Sequence, residues 1–362
     1  NMIIGVPKEV KNNESRAGLT PESVDSLVKE GHEILVQKDA GANIGFYDSQ
    51  YIQYGAKIVN SAEEVYKSSE MIVKVKEPTP DEYSFLREDL TLFTYLHLAG
   101  DIENSKKLID TGVTGIAYET VTAKDGSMPL LAPMSTIAGQ LAFTVGSYHL
   151  LKHNKGKGVM IGKLDDIEPR VVTVIGAGVA GTQSISKAVA NNALVKVVDS
   201  KQSKLDYLQS EFGSTNIEYI LSTDESIQSS INSSDLVIGS VYVVGKEAPK
   251  VVKKEMLSSM NPGTVMVDVS IDQGGCFESS KPTTHDNPTF LENNIVHYCV
   301  TNMPGAVPLT ATQALNKVTL PYIKDLANKG VLKALDEDKH LKNGLNIQNG
   351  SITHPGVREA LE

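Results

Sequence analysis

Cysteine is scarce in this chain of 362 residues. Only Cys276 and Cys299 occur, which excludes a disulfide framework and favours a reducing compartment. Both lie beside apolar, strand-like segments, so we predict that they are buried thiols. No C-x-x-C pair occurs and the eight histidines are scattered, so we expect no metal site. The G-x-S-x-G nucleophile elbow is also missing, which argues against that class of hydrolase.

Basic runs and long hydrophobic runs are lacking as well. The formal net charge is −10 without any long basic run, so we expect no nucleic acid partner. The most apolar helix-like stretch, residues 137–151, is interrupted by Gln140, Thr144, Ser147 and His149, and is too short and too polar to span a bilayer. Because no leader with a charged and then an apolar region is recognisable, we expect a cytoplasmic protein without a signal peptide or a membrane partner.

Short apolar strand candidates alternate with helical patterns, which is typical of parallel α/β structure. The candidates form two series: residues 2–7, 33–37, 71–76, 91–96 and 114–119, then 171–176, 194–199, 235–240, 264–270 and 295–300. A helix is predicted over residues 21–31, with Pro21 near its start and Gly31 at its end. We predict an α/β fold class in which two doubly wound, Rossmann-type parallel sheets flank a cleft.

A dinucleotide fingerprint opens the second series. Gly176, Gly178 and Gly181 form G-x-G-x-x-G after a β-branched strand and before a helical segment, and a second strand ends in Asp199 about 20 residues on. Gly176 permits a tight turn, Gly178 lets the backbone approach a pyrophosphate at the helix N-terminus, and Gly181 allows close helix packing. The Asp199 carboxylate would accept hydrogen bonds from a ribose and repel a 2′-phosphate. The predicted cofactor is therefore NAD, and the alternative is a glycine turn without a cofactor.

Three domain segments follow from these patterns. Residues 1–135 are predicted as the first segment of a substrate domain, and residues 136–307 as the NAD-binding Rossmann domain. Residues 308–362 are predicted as a helical segment, with Pro321 as an expected kink. That segment is too short to form a domain alone, so we expect it to pack back on the substrate domain.

Lysines and a histidine follow the strands of the first series. Residues 71–76 place Lys74 and Lys76 on one strand face, although lysine is almost never fully buried without a partner. His97 follows the next strand, and Arg16 lies in the polar loop after the first strand. At the carboxyl edge of a parallel sheet these cations would suit a carboxylate substrate, and the imidazole would move a proton.

Each of these residues has a simpler interpretation. Arg16 would be a surface charge, and His97 a hydrogen-bonded core histidine. Lys76 would be a solvated strand end, and Lys74 would be solvated in the same way or paired with an acid. In the second series, Asp268 and Asp272 would share one face of an extended segment with Ser270, or would only cap a turn. Ser240, Ser270 and Thr301 fall at the carboxyl ends of strands, where doubly wound sheets bind ligands.

The motifs as a set resemble the bacterial alanine dehydrogenases almost from end to end. The resemblance is carried by GVPKEVKNNESRAGLTP, VKVKEP, FTYLHLA, IAYETV, LLAPMS, GAGVAGT, DLVIGSV, VDVSIDQGGCFE, PTTH and HYCVTNMPGAVP, which occur in this order. The chain departs from the family pattern at residues 162–169, at residues 241–250 and at Thr301, where alanine is common.

The resemblance implies reversible, NAD-dependent oxidation of L-alanine to pyruvate and ammonium in a homohexamer. It implies that Arg16 and Lys76 bind the substrate and that His97 and Asp272 are the acid/base pair. The predicted cofactor contacts are Ser135, Gly176, Gly178, Val179, Ala180, Gly181, Asp199, Lys204, Ser222, Ser240, Val241, Thr301, Asn302 and Met303.

Three other functions share parts of this pattern. The nucleotide-binding subunit of a proton-translocating transhydrogenase has the same architecture but does not need the set Lys76, His97 and Asp272. A saccharopine-type dehydrogenase would use a larger amino acid. A non-catalytic NAD-binding sensor would keep Asp199 and the glycines without needing His97 or Lys76.

Overall fold

The structure is a computed structural model of the whole chain, and it describes residues 1–243 and 246–362. Val244 and Gly245 lie outside the described residues. They belong to the loop at residues 241–250, whose sequence departs from the family pattern. Only residues 241–243 and 246–250 of that loop are described.

The described residues form short strands and mostly longer helices. The strands are β1 (Ile3–Val6), β2 (Glu33–Gln37), β3 (Lys57–Val59), β4 (Met71–Val73), β5 (Thr91–Thr94), β6 (Thr114–Ala117), β7 (Val171–Ile175), β8 (Leu194–Asp199), β9 (Ile217–Leu221), β10 (Leu236–Gly239), β11 (Val265–Asp268), β12 (Thr289–Glu292), β13 (Ile295–Tyr298), β14 (Leu345–Gln348) and β15 (Ser351–Ile352). The helices are α1 (Pro21–Lys29), α2 (Asp48–Gln53), α3 (Ala62–Ser68), α4 (Ile102–Asp110), α5 (Ala132–His149), α6 (Val179–Ala190), α7 (Gln202–Phe212), α8 (Asp224–Asn232), α9 (Pro308–Lys329), α10 (Val331–Glu337), α11 (Lys339–Lys342) and α12 (Pro355–Leu361).

Two compact units contain these elements. The first unit comprises Asn1–Pro133 and Val307–Glu362, and the second unit comprises Met134–Ala306. The first unit is thus discontinuous in sequence. Which unit binds the substrate and which binds the cofactor stays a prediction at this point.

In the first unit, the described strands form one sheet in the order β15-β14-β6-β5-β4-β1-β2-β3. Pairing is parallel from β6 through β3, whereas β14 runs antiparallel to both β6 and β15. Starting from β1, the strands β2 and β3 are added on one side, and β4, β5 and β6 are then added on the other side. Because parallel crossovers are right-handed, this reversal places helices on both sheet faces.

The second unit repeats this arrangement. Its described strands run in the order β12-β13-β11-β10-β7-β8-β9, and every pair is parallel except the edge pair of β12 and β13. This sheet also reverses direction beside its first strand, between β7 and β10. Both sheets are therefore doubly wound and predominantly parallel, as the sequence predicts.

Apolar side chains alternate between two cores on the faces of the second sheet. Along β10, Leu236 and Ile238 pack in one core and Val237 packs in the other. In β11, Val265 and Met266 divide in the same way. Burial on both faces explains why these strands read as continuous apolar runs.

The predicted strands are found close to their expected bounds, but several are shorter. The largest error is at residues 71–76, where β4 ends at Val73 and both lysines lie beyond it. The sequence patterns also missed β3, β9, β12, β14 and β15. The predicted helical segment at residues 308–362 therefore also contains strands, and its strand β14 extends the first sheet. Both cysteines are buried, as predicted.

A core substitution tests the pairing of β14 with the first sheet. Ile347 is 1% exposed and packs beside Gly115 of β6. We expect Ile347→Ala to lower the free energy of unfolding of the first unit by about 2–5 kcal/mol, since a buried side chain is lost and a cavity remains. Urea unfolding measures this change. Leu332→Ala, at a residue 70% exposed, is the control and should change it by less than about 0.5 kcal/mol. Equal effects of the two substitutions would contradict the pairing.

Candidate active site

The candidate substrate site of the first unit lies where its sheet reverses direction. The loop after β1 carries Glu9, Glu14 and Arg16, and the segment after β4 carries Lys74 and Lys76. Since β1 and β4 are parallel neighbours, both segments leave the sheet at its carboxyl edge. Doubly wound sheets bind ligands at this edge, beside the point of reversal.

Lys74 is an ion-paired residue and not part of a solvated face. Its side chain is 2% exposed, and its Nζ lies 2.8 Å from Oε2 of Glu9, whose side chain is also 2% exposed. Burial lowers the pKa of the Lys74 ammonium, but the attraction of Glu9 together with the charges of Glu82 and Glu77 outweighs that effect and raises the pKa overall. For Lys74, the solvated interpretation is wrong and the acid-paired one is confirmed.

Lys76 differs from Lys74 in its surroundings. Its side chain is half-buried, and among the described residues no carboxylate oxygen lies within 4 Å of its ammonium group. Its backbone N–H donates to Oε1 of Glu9 at 2.8 Å, and its carbonyl accepts from Oγ1 of Thr94 at 2.8 Å. The backbone of Lys76 is thus fixed on both sides, while its charge faces no described acid.

Arg16 is buried and held by an acid from its own loop. The Arg16 Nε donates to Oε2 of Glu14 at 2.8 Å, and its Nη2 donates to Oε1 at 2.6 Å. Burial lowers the pKa of Arg16, but the hydrogen bonds and charge of Glu14 outweigh it and raise the pKa. The simpler interpretation of Arg16 as a surface charge is wrong, since the residue is only 2% exposed.

His97 lies on the same edge with an unusual backbone. It is exposed, with φ 44° and ψ 47°, a left-handed conformation that is uncommon for residues other than glycine. Glu119 accepts the N–H of His97 at 2.7 Å and that of Leu96 at 3.2 Å, which secures this conformation. A methyl group at Gly100 would lie 2.3 Å from the His97 ring, so glycine leaves the ring its space. Because it is exposed, His97 is not a core histidine.

Burial also acts on the acid that holds His97. It raises the pKa of the Glu119 carboxyl, while the hydrogen bonds from the backbone amides and the His97 charge act in the opposite direction. Each cation or base proposed for substrate chemistry is therefore attached to a carboxylate: Arg16 to Glu14, and the backbones of Lys76 and His97 to Glu9 and Glu119.

The glycine loop of the second unit lies between β7 and α6. Gly176 has φ 97°, and a Cβ there would lie 2.1 Å from the carbonyl oxygen of Ser240, so only glycine fits. A Cβ at Gly181 would lie 1.8 Å from the Gly176 oxygen, whereas one at Gly178 would meet no atom within 4 Å. The glycines thus have the distinct roles that the fingerprint assigns, with open space at Gly178.

The N-terminus of α6 is suited to an anion. Gly178 is its N-cap, no side chain caps it, and its first turn carries no acidic residue. The first N–H groups of a helix lack intrahelical acceptors and carry partial positive charge. A pyrophosphate would satisfy these donors, so the loop fits a dinucleotide.

Asp199 lies at the end of β8 beside this loop. Its Oδ2 accepts the N–H of Ala177 and its Oδ1 accepts the N–H of Lys201, both at 2.8 Å. A carboxylate has about four acceptor positions, so two backbone bonds leave capacity for ribose hydroxyls. Ser222 is adjacent, because its N–H donates to the Asp199 carbonyl at 2.9 Å.

The segment after β11 is not extended, in contrast to our expectation. It forms a 3₁₀ turn over Val269–Gln273, so the two aspartates have different environments. Asp268 is fully buried and accepts from the N–H groups of Ser270 and Cys276 at 3.0 and 2.9 Å, which is a structural role. Asp272 is exposed, and the N–H of Asn302 donates to its Oδ1 at 3.4 Å.

The other predicted cofactor residues fall into two groups. Ser240 and Val241 adjoin the glycine loop, since a Cβ at Gly176 would lie 2.1 Å from the Ser240 oxygen and 3.1 Å from the Val241 nitrogen. The remainder lie outside that group: Ser135 on α5, Val179 and Ala180 at the start of α6 between Gly178 and Gly181, Lys204 on α7, and Thr301, Asn302 and Met303 after β13.

The sequence patterns did not single out Glu9, Glu14 or Glu119. Only Glu14 had a local signal, because it lies two residues before Arg16 in the segment NNESR. Glu9 and Glu119 are distant in sequence from the residues that they bond, Lys76 and His97. His149 and His153 form an H-x-x-x-H pair, so the expectation that no such pair occurs is wrong. Among residues 1–243 and 246–362, no cluster of three His, Cys, Asp or Glu side chains could hold a metal ion. Within the same residues, no helix is long and apolar enough to cross a membrane.

Two models of one protein family match nearly the whole chain. Residues 5–138 match the N-terminal domain, and residues 142–355 the C-terminal domain, of the family described as alanine dehydrogenase/PNT. The chain belongs to this family. An alanine dehydrogenase from Halomonas elongata is 46% identical over 359 residues, covering 99% of this chain and 96% of that protein. One from Methanococcus maripaludis is 44% identical over 360 residues, with coverage of 99% and 96%.

Solved structures of family members and of more distant proteins agree with the fold. A structure described as L-alanine dehydrogenase matches with a TM-score of 0.95 at 46% identity, covering 99% of each chain. A transhydrogenase structure from Sinorhizobium meliloti matches with a TM-score of 0.82 at 22% identity, covering 98% of this chain and 99% of that chain. At that identity, the second likeness shows the fold alone.

Two glycine substitutions separate packing from cofactor binding. We expect Gly181→Ala to lower stability by about 1–3 kcal/mol, because its Cβ would overlap the Gly176 carbonyl. Gly178→Ala has room and should leave the melting temperature nearly unchanged, yet weaken NADH binding by about tenfold or more, since a methyl group would obstruct the pyrophosphate. Thermal unfolding and NADH fluorescence titration measure the two effects. Unchanged NADH affinity in Gly178→Ala would contradict the assignment of the loop.

Proposed function

We propose that this protein is an NAD-dependent L-alanine dehydrogenase that interconverts L-alanine with pyruvate and ammonium. The observation that carries the proposal is the grouping of Arg16, Lys76 and His97 at one sheet edge, in a chain 46% identical to a named alanine dehydrogenase over its full length. A carboxylate-binding pair and a proton carrier are what oxidation of an amino acid requires of the protein.

Arg16 and Lys76 bind the substrate carboxylate in this proposal. The guanidinium supplies planar, oriented donors, and Glu14 fixes its plane. Lys76 supplies a point charge from a backbone that Glu9 and Thr94 hold in place. Because Glu14 balances the charge of Arg16, the ammonium of Lys76 supplies most of the net attraction for a carboxylate.

NAD is the proposed cofactor, and when bound it accepts the hydride from the substrate α-carbon. Gly176, Gly178 and Gly181, with the N-terminus of α6, would hold its pyrophosphate. Asp199 would accept hydrogen bonds from its ribose. The further contacts proposed are Ser135, Val179, Ala180, Lys204, Ser222, Ser240, Val241, Thr301, Asn302 and Met303.

His97 and Asp272 are the proposed acid/base pair. After the ammonium group of alanine has lost one proton, loss of a hydride from the α-carbon leaves an iminium. Asp272 orients a water and His97 takes a proton from it, so that the water oxygen bonds to the α-carbon. His97 then returns the proton to the nitrogen, and the C–N bond breaks with its electron pair leaving on ammonia. The hydroxyl proton passes through His97 to that ammonia, so that pyruvate and ammonium result. The net reaction converts alanine, NAD⁺ and water into pyruvate, ammonium, NADH and a proton.

Family resemblance also supports a cytoplasmic homohexamer as part of the proposal. A transhydrogenase subunit is the second candidate, because a transhydrogenase shares the fold at a TM-score of 0.82. The exposed His97, attached to Glu119, favours the dehydrogenase, since transfer between two nucleotides needs no proton carrier for an amine.

One assay tests the proposed function. We expect NADH formation at alkaline pH with L-alanine above all other members of a panel of small L-amino acids, and little activity with NADP. Asp199→Gly should bring the activity with NADP closer to the activity with NAD, because it removes the charge that repels a 2′-phosphate. Activity without an amino acid, with a second nucleotide as the acceptor, would favour the transhydrogenase subunit instead.

Replacing His97 tests the acid/base assignment. We expect His97→Asn to lower kcat by about 10²–10⁴-fold, since the side chain can no longer carry a proton. Asparagine tolerates the left-handed backbone, so the fold should remain intact. The matched control is His153→Asn, at an exposed histidine of the second unit, which should retain activity. Near wild-type turnover of His97→Asn would exclude the role.

A further inference from the structure

Glu9 and Lys74 form a buried ion pair, and neither side chain is assigned to the substrate. We propose that Glu9 is a positioning residue, which uses one oxygen to fix the backbone of Lys76 while Lys74 holds its other oxygen. This inference rests on the proposed role of Lys76 in binding the substrate carboxylate.

The geometry of the Glu9 carboxylate carries the inference. Its Oε1 accepts the N–H of Lys76 at 2.8 Å, and its Oε2 lies 2.8 Å from Nζ of Lys74. The two side chains of the ion pair are each 2% exposed, so water does not compete for these bonds. One carboxylate therefore joins the loop after β1 to two alternate residues of the segment after β4.

This bond matters because Lys76 lies beyond the regular strand. β4 ends at Val73, so sheet pairing alone does not fix the next residues. On the β5 side, the Lys74 N–H donates to the Phe93 carbonyl at 3.1 Å and the Lys76 carbonyl accepts from Thr94 Oγ1 at 2.8 Å. On the β1 side, the bond from Glu9 completes the attachment. With both sides held, the Lys76 side chain extends from a fixed backbone.

The Lys74 ammonium stabilises the charged form of the buried Glu9 carboxylate. Burying one unpaired carboxylate is strongly unfavourable, and a paired ammonium offsets that cost. Replacing both members of such a pair with uncharged side chains of similar size is often tolerated, whereas removing one member is not. This asymmetry allows stability and positioning to be separated by experiment.

Two double variants of the full-length protein make that separation. Glu9→Gln with Lys74→Met removes both charges but keeps an acceptor oxygen for the Lys76 N–H. Glu9→Leu with Lys74→Met removes both charges and the acceptor. The control is Glu33→Gln with Lys57→Met, an exposed pair at 2.8 Å in the same sheet whose loss should leave activity unchanged. Steady-state kinetics with pyruvate, ammonium and NADH, together with melting temperatures, are the readouts.

The Leu variant should have a KM for pyruvate about tenfold or more above that of the Gln variant, because small misplacements of a binding group are costly. The KM for NADH and the melting temperature should be similar in both. Equal pyruvate KM values in the two double variants would overturn the inference. Lys76→Met tests the proposed substrate role of Lys76 separately from the positioning role of Glu9. If its pyruvate KM equals that of the wild type, the substrate role of Lys76 is wrong.

Hydrogen exchange on the wild-type protein keeps the inference testable if either double variant fails to fold. The bond to Glu9 predicts that the Lys76 amide is protected to a degree comparable with the Tyr95 amide, which donates to the Val75 carbonyl at 3.1 Å. Rapid exchange at Lys76 beside a protected Tyr95 would overturn the positioning role.

Discussion

Charge burial is the constraint on which the first unit depends. Arg16 and Lys74 are each 2% exposed, and a buried ion is tolerated only with a partner of opposite sign. Glu14 and Glu9 are those partners. The loop after β1 therefore supplies carboxylates to its own arginine and to Lys74 in the segment after β4. Lys76, whose ammonium faces no carboxylate among the described residues, is left to attract an anion.

The two sheets place their functional segments by the same topological rule. In each sheet, the strand order reverses beside the first strand, between β1 and β4 in one unit and between β7 and β10 in the other. Loops leaving neighbouring strands diverge there, and space for a ligand opens at the carboxyl edge. In the first unit these loops carry charged side chains. In the second they carry glycines and an uncapped helix, so each edge has its own chemistry.

Local patterns predicted much of this from sequence, and long-range partners were missed. The glycine fingerprint and the apolar strands depend on neighbours in the chain, so their patterns were readable. The acid beside Lys74 is 65 residues away, and no local pattern distinguishes it from a solvated glutamate. Likewise β14 joins β6 across more than 200 residues. The turn that separates Asp268 from Asp272 was missed because the alternation of side chains typical of a strand was assumed to continue beyond Asp268, where β11 ends.

The central claim is that the protein passes hydrogen directly from the α-carbon of L-alanine to NAD. Mass spectrometry of the NADH formed from L-alanine deuterated at that carbon tests it most directly. The account predicts that the deuterium is found in the NADH and not in the solvent. NADH without the label, or deuterium released to water, would contradict direct transfer.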